Sequence, residues 1–260
     1  MQVPATLSFQ NSSKNASEYS WLVDGREVST AEHLSYTFLS SGRHIVELQA
    51  FDGAKIETIT REIIVDPPSA CLVEIETTMG NMIVTLDEST PRHLENFTKL
   101  IEQGFYNDLI FHRTIENFMI QGGGNEYRSG GKRFQDPAVI EEEINVDLPH
   151  YRGALAAARM PDEMNPTKAS SGSQFYIVDG TNLSASKLEK IQGDKLFNYT
   201  EEQTNKYLQL GGAPQLDGEY TVFGYLLIGY DVLDRIAEAA TDSYDKPLQD
   251  IIITNAKFIN

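Results

Sequence analysis

Cysteine is almost missing from this 260-residue chain: Cys71 stands alone. A single thiol excludes an intramolecular disulfide framework and a cysteine-built metal site. Beside Leu72 and Val73 it reads as a small, partly buried side chain rather than a nucleophile. Positive charge is scarce too. Lys and Arg total 21 against 38 Asp and Glu, a formal net charge of -17. An acidic surface repels phosphate backbones, so no nucleic-acid partner is expected. No apolar run approaches the length of a membrane span. The opening Met-Gln-Val-Pro-Ala-Thr lacks both the basic start and the apolar centre of a signal peptide. That fits a cytoplasmic chain and equally one stripped of its export signal or anchor.

What is present supports a folded protein. Apolar residues make up 40% of the chain, enough for a packed core. The clearest seam is Val65-Asp-Pro-Pro-Ser69, where two prolines stiffen the backbone. Residues 1–66 before it read as short strands: Leu7 and Phe9 alternate with polar neighbours, Tyr19, Trp21 and Val23 alternate with Ser20, Leu22 and Asp24, and the segments Ile45–Phe51 and Ile56–Val65 are rich in β-branched residues. Turns are expected at Asp24-Gly25, Ser41-Gly42 and Asp52-Gly53. This pattern predicts a small β-sandwich with Trp21 as its core plug. Trp21, Asp24-Gly25 and the stretch Tyr36-Thr-Phe-Leu-Ser-Ser-Gly42 resemble a PKD-type, immunoglobulin-like module.

Residues 67–71 read as a linker and 72–260 as a second domain. Leu72–Thr77 and Asn81–Leu86 form a predicted hairpin around Thr78-Met-Gly80. Ser89-Thr-Pro91 predicts a helix opened by a hydroxyl cap, with Leu94, Phe97, Leu100 and Ile101 on one face and Gly104 ending it. A strand over 220–228, a helix over 231–239 and a strand over 251–258 close the chain. Between them, 183–210 reads as an insertion of two short helices, Thr200 and Gln203 forming a capping box. With no chemistry evident in it, decoration is the expectation.

Two runs carry the chemistry. Phe111-His-Arg-Thr-Ile-Glu-Asn-Phe-Met-Ile-Gln-Gly-Gly123 sets the guanidinium of Arg113 near apolar Phe118 and Met119 and the amide of Gln121. Ser170-Ser-Gly-Ser-Gln-Phe-Tyr-Ile-Val178 adds a second amide, Gln174, and aromatic surface. Together they resemble the signature segments of the cyclophilin family of peptidyl-prolyl cis-trans isomerases, over 72–260. The resemblance implies a closed, eight-stranded antiparallel barrel capped by two helices, so the whole chain is expected to be mainly β.

It also implies roles. Arg113 is the expected catalytic donor, aimed at the proline nitrogen in the twisted transition state. Phe118, Met119 and Leu216 are expected to line a proline pocket, and Gln121 and Gln174 to hold the substrate backbone. Ala158, in Gly153-Ala-Leu-Ala-Ala-Ala158, leaves room for the side chain before proline. Some positions depart from the commonest family pattern. Arg159 replaces asparagine, Tyr176 a pocket-floor phenylalanine, Gln215 a rim tryptophan or histidine, and Tyr220 a histidine. All four remain candidate substrate contacts. Without the rim aromatic, weak cyclosporin sensitivity is expected. A non-catalytic module that binds proline-containing segments is the alternative reading.

No metal or cofactor is called for. The histidines His33, His44, His93, His112 and His150 lack ligand spacing, and His112 is expected to be a core or supporting residue. Gly122-Gly-Gly124 and Gly130-Gly-Lys-Arg133 fail the phosphate-loop pattern. Glu141-Glu-Glu143 reads as a solvated face. Expected partners are proline-containing polypeptides. A β-sandwich module beside such a domain points to the periplasm or cell envelope, with a membrane anchor in the native precursor compatible and cytoplasmic residence left open. Nothing demands an oligomer, and a monomer is expected.

Overall fold

The computed structural model of the chain describes residues 1–53, 55–131, 134–195 and 197–259. Lys132 and Arg133, which end the rejected phosphate-loop pattern, lie outside the described residues. The chain divides into two compact units, Met1–Ser69 and Ala70–Phe258.

In the first unit, β1 (Ala5–Phe9) pairs with β4 (Leu34–Phe38). A second antiparallel sheet runs in the order β3 (Arg26–Ser29), β2 (Glu18–Val23), β5 (Gly42–Asp52), β6 (Lys55–Val65). The β2–β3 turn is Asp24-Gly25, with both φ angles positive (51° and 78°), the backbone that a tight two-residue hairpin requires. Trp21, Val23, Val46 and Leu48 bury one face of the larger sheet. Contacts cross to the smaller sheet through Phe9 on Trp21 and Phe38 on His44. Trp21 also donates from Nε1 to the carbonyl of Ala31 at 3.0 Å, so its polar edge is satisfied as its ring fills the core.

In the second unit eight strands form one curled sheet. In chain order they are β7 (Leu72–Thr77), β8 (Gly80–Leu86), β9 (Phe111–Ile115), β10 (Met119–Gly122), β11 (Ala154–Ala157), β12 (Phe175–Val178), β13 (Val222–Ile228) and β14 (Ile253–Ile259). Their spatial order is β14-β7-β8-β13-β11-β12-β10-β9. The two edges meet just before β9 and β14: Phe111 N–H donates to Ile251 O at 2.9 Å and Ile253 N–H to Leu109 O at 2.8 Å. Closure satisfies edge groups that would otherwise face another chain. Side chains alternate across the sheet, as the two-residue strand period dictates. Val73, Ile75, Met82, Val84, Leu155 and Ile177 fill the interior. Helices α1 (Pro91–Glu102) and α4 (Tyr230–Ala237) add Phe97, Leu100, Leu233 and Ile236 to the same core. Each such side chain, fully buried, contributes about 1.5–3 kcal/mol.

The expected hydroxyl cap of α1 is absent: Thr90 makes no side-chain cap bond. Its hydroxyl donates backwards to Asp87 O. A carboxylate caps the helix instead. Glu143 accepts from the backbone N–H of Arg92 and of His93, both at 3.0 Å, and contacts His93 Nδ1 at 2.6 Å. Glu143 is therefore no solvated residue, and a charged acceptor suits a helix N-terminus better than a hydroxyl does. Its neighbour Glu141 pairs with Arg92 at the surface. The insertion forms α2 (Ala185–Gly193) and α3 (Glu201–Leu210), the latter with the Thr200–Gln203 capping box. Among the described residues no helix is long and apolar enough to cross a membrane.

Candidate active site

Strand register builds the site. Residues directly opposite one another on paired strands share a face. Arg113 on β9 lies opposite Gln121 on β10, Gln121 opposite Tyr176 on β12, and Tyr176 opposite Ala156 on β11. These four form one row across four strands. Their neighbours Ile120, Leu155, Phe175 and Ile177 point into the barrel, so the row points out. Met119, Ala154, Ala156, Ala158, Tyr176 and Val178 make a separate apolar cluster on that outer face, with Phe118, Leu216 and Tyr220 packed against it. Phe118 and Met119 are thus a surface floor rather than barrel core.

A cavity of about 130 Å³ opens there, lined by Arg113, Phe118, Met119, Gln121, Ala158, Arg159, Tyr176, Leu216 and Tyr220. Two expected contacts lie beside it. Gln174 reaches it through Gln121, whose Nε2 donates to Gln174 Oε1 at 3.0 Å. Gln215 does not line it: the residue is exposed, and its carbonyl accepts from Lys195 Nζ at 2.8 Å. Larger hollows exist, of about 500 Å³ beside Arg152 and about 670 Å³ in the first unit. The hollow in the first unit carries Arg61 beside Trp21 and Leu48 but none of the signature residues. Arg152 is committed to Asp179 and Asp234 and stacks on Tyr230.

The polar groups are held in fixed directions. Arg113 Nε donates to Asp245 Oδ2 at 3.3 Å, and its side chain stays 42% exposed. Asp245 sits in a tight loop where Asp242 Oδ1 accepts from the N–H of Tyr244 and of Lys246. The same loop accepts from Thr114 N–H through Asp245 O at 2.8 Å, clamping it to β9. Gln174 Nε2 donates to Glu126 Oε1 at 3.0 Å. A carboxylate only accepts, so Glu126 fixes both amides: Gln174 turns its oxygen to Gln121, and Gln121 keeps its own oxygen available. Gly123 makes this approach feasible. Its φ is +83°, and a Cβ there would fall 2.2 Å from Ser173 O. The glycine run thus serves a close backbone approach.

Three of the four departures from the common pattern, Arg159, Tyr176 and Tyr220, form one group. Arg159, only 5% exposed in its side chain, stacks its guanidinium on Tyr220 at 4.5 Å and donates from Nε to Glu219 O at 2.9 Å. Tyr220 meets Tyr176 edge-on at 5.9 Å. Burial drives the Tyr176 phenol well above its usual pKa, so it remains an O–H donor. His112 lies behind Arg113, stacked on Tyr127 at 3.8 Å. Burial, and then the neighbouring Arg113, pull its pKa down to about 4, which rules it out as an acid at neutral pH.

Sequence reasoning missed Asp245 and Glu126, whose roles arise only where separate loops converge. It missed also His150 and Asp217, buried under Tyr176. Among the described residues no group of three or more His, Cys, Asp or Glu side chains could hold a metal ion.

Comparison with known proteins fits this geometry. The family model described as cyclophilin-type peptidyl-prolyl cis-trans isomerase matches residues 72–258. A putative bifunctional phosphatase/peptidyl-prolyl cis-trans isomerase of Streptococcus pyogenes is 35% identical, the match covering 70% of this chain and 37% of that one. A putative peptidyl-prolyl cis-trans isomerase of Staphylococcus saprophyticus is 32% identical over 71% of this chain and 90% of its own. The crystal structure of a Cryptosporidium parvum cyclophilin-type isomerase superposes with a TM-score of 0.54 at 27% identity, covering 73% of this chain and 97% of that one. A second structure of that protein, in the presence of the dipeptide Ala-Pro, gives 0.52 at 28% identity, covering 71% and 96%. With the family match spanning 72–258 and the signature residues gathered around one cavity, this chain belongs to the cyclophilin-type peptidyl-prolyl cis-trans isomerases.

Proposed function

We propose that the outer-face cavity takes the proline ring of an X-Pro segment in flexible or unfolded protein clients, and that Arg113 accelerates rotation of the preceding amide. One observation carries this: a half-exposed guanidinium stands at the edge of a small cavity that Phe118, Met119 and Leu216 help to line, beside a fixed amide. The rotation barrier, about 18–20 kcal/mol, arises because the proline nitrogen's lone pair is delocalised into the carbonyl. In the twisted transition state that lone pair is localised and accepts a hydrogen bond. A donor that bonds it only then lowers the barrier. Nε is engaged by Asp245, so the Nη groups are the donors. Phe118, Met119, Tyr176 and Leu216 hold the ring, and Gln121 holds the substrate backbone.

The test is X-Pro exchange in an Ala-Pro-Phe peptide followed by NMR. Wild-type protein is expected to accelerate it, and Arg113→Ala to lose roughly 10²–10³-fold, the usual cost of removing one transition-state donor. Peptide binding without acceleration by wild type would leave a proline-segment binding module.

The first unit is read as a PKD-like, immunoglobulin-type module. Its two small antiparallel sheets, buried Trp21 and Asp24-Gly25 turn support this. With it goes residence in the periplasm or cell envelope, the native precursor carrying an export signal or anchor and the protein acting as a monomer. Fractionation of the source cells checks this: recovery with cytoplasmic markers would overturn it. Weak cyclosporin inhibition follows from an exposed Gln215 at the rim in place of an aromatic ring. Submicromolar inhibition would contradict it.

A further inference from the structure

We infer that the inserted helical pair positions the proline pocket, through a buried hydrogen-bonded chain running from Tyr207 and Tyr199 by way of Asp217 and His150 to Tyr176. The inference rests on the proline-pocket reading given above.

The chain starts in the insertion. Tyr207 is 0% exposed and packs on Tyr199 and Tyr151. Both tyrosine hydroxyls donate to Asp217 Oδ2, Tyr199 at 2.7 Å and Tyr207 at 2.5 Å. Burial, with the Asp217 charge next in weight, raises both phenol pKa values far above the usual, so both stay protonated. The other oxygen of Asp217, a residue only 3% exposed, accepts from His150 N–H and lies 2.7 Å from His150 Nδ1. A carboxylate accepts only, so Nδ1 carries the proton. Nε2 then accepts from the Tyr176 hydroxyl at 2.9 Å. The two rings lie nearly parallel, 13° apart. A phenylalanine floor is free to turn about its axis, whereas this one is pinned at its far end.

The insertion also grips a second wall. Lys195 Nζ donates to the carbonyls of Gln215 at 2.8 Å and Asp217 at 2.7 Å, which flank the pocket residue Leu216. Half of the Asp217 donors come from the insertion. Removing them would leave a buried carboxylate short of partners. The insertion is therefore more than decoration. Tyr199, Tyr207, Asp217 and His150 are positioning residues: they act through Tyr176 and Leu216 and touch no substrate.

The test is a double-mutant cycle on peptide isomerisation by the full chain, with kcat and KM resolved. Tyr207→Phe is expected to raise KM roughly 3–10-fold, the worth of one hydrogen bond, with kcat nearly unchanged because Arg113 is untouched. Tyr176→Phe is expected to do the same. The double variant should be no worse than the weaker single one, since one chain is cut twice. Additive losses, or an unchanged KM in folded Tyr207→Phe, would overturn the inference. A purely structural role reads differently: partial unfolding lowers the apparent kcat and leaves KM alone. If Tyr207→Phe does not fold, Tyr199→Phe serves in its place, with the same KM effect and the same loss of additivity expected, and additivity again decides against. Failure of wild type to accelerate exchange would fault the pocket reading rather than this one.

Discussion

The guanidinium of Arg113 is a flexible group made directional by one neighbour. Asp245 takes Nε and leaves the Nη edge facing the cavity. Asp245→Ala should lower kcat for peptide exchange about threefold to tenfold, since a freed arginine gives up its preorganisation. Asp245→Asn, which keeps an acceptor, should lose less. A rate increase in the alanine variant would instead mark the carboxylate as a brake on the cation. Behind it, His112 ties stability to pH. Its pKa of about 4 lies below the usual 6.5, so the unfolded chain binds the proton more readily. This contribution is complete above pH 6.5 and lost as pH falls toward 4, about 3 kcal/mol in all. Urea unfolding of His112→Phe at pH 7 and at pH 5 should show a shallower loss than wild type. An equal loss in both would remove His112 from the explanation.

At the scale of elements, legibility followed locality. The hairpin at Thr78-Met79, the α1 face of Phe97, Leu100 and Ile101, and the Thr200–Gln203 box each rest on residues close in sequence, and each is present. The cap of α1 was misread because local chemistry offered Thr90 while the fold delivered Glu143 from 50 residues away. Glu143→Ala should cost about 1–2 kcal/mol, the worth of a helix cap, and chemical denaturation would measure it. An effect below a few tenths of a kcal/mol would mean that Thr90 turns inward to replace it. The site was legible to the extent that it lies on two continuous runs. Asp245, Glu126, His150 and Asp217 were not, since each comes from its own loop and only the barrel register brings it close. The departures at Arg159, Tyr176 and Tyr220 look independent in sequence but make a single packed group lining the cavity.

For the molecule as a whole, a net charge of -17 sets a long-range bias. Peptides with lysine or arginine around the Ala-Pro bond should show a lower KM than acidic ones at low ionic strength. The gap should close as salt shortens the Debye length to about 8–10 Å. A gap that survives high salt would instead point to a specific ion pair at the rim.

The row Arg113–Gln121–Tyr176–Ala156 stands on the convex side of the barrel. If the proposed site is used, no client terminus has to be threaded: a proline hundreds of residues from either end could be laid on this surface sideways. On that reading the limit on which prolines could be turned over would be the slack in the client. A loop in an otherwise native protein would qualify if it could lift a few residues clear of its own body.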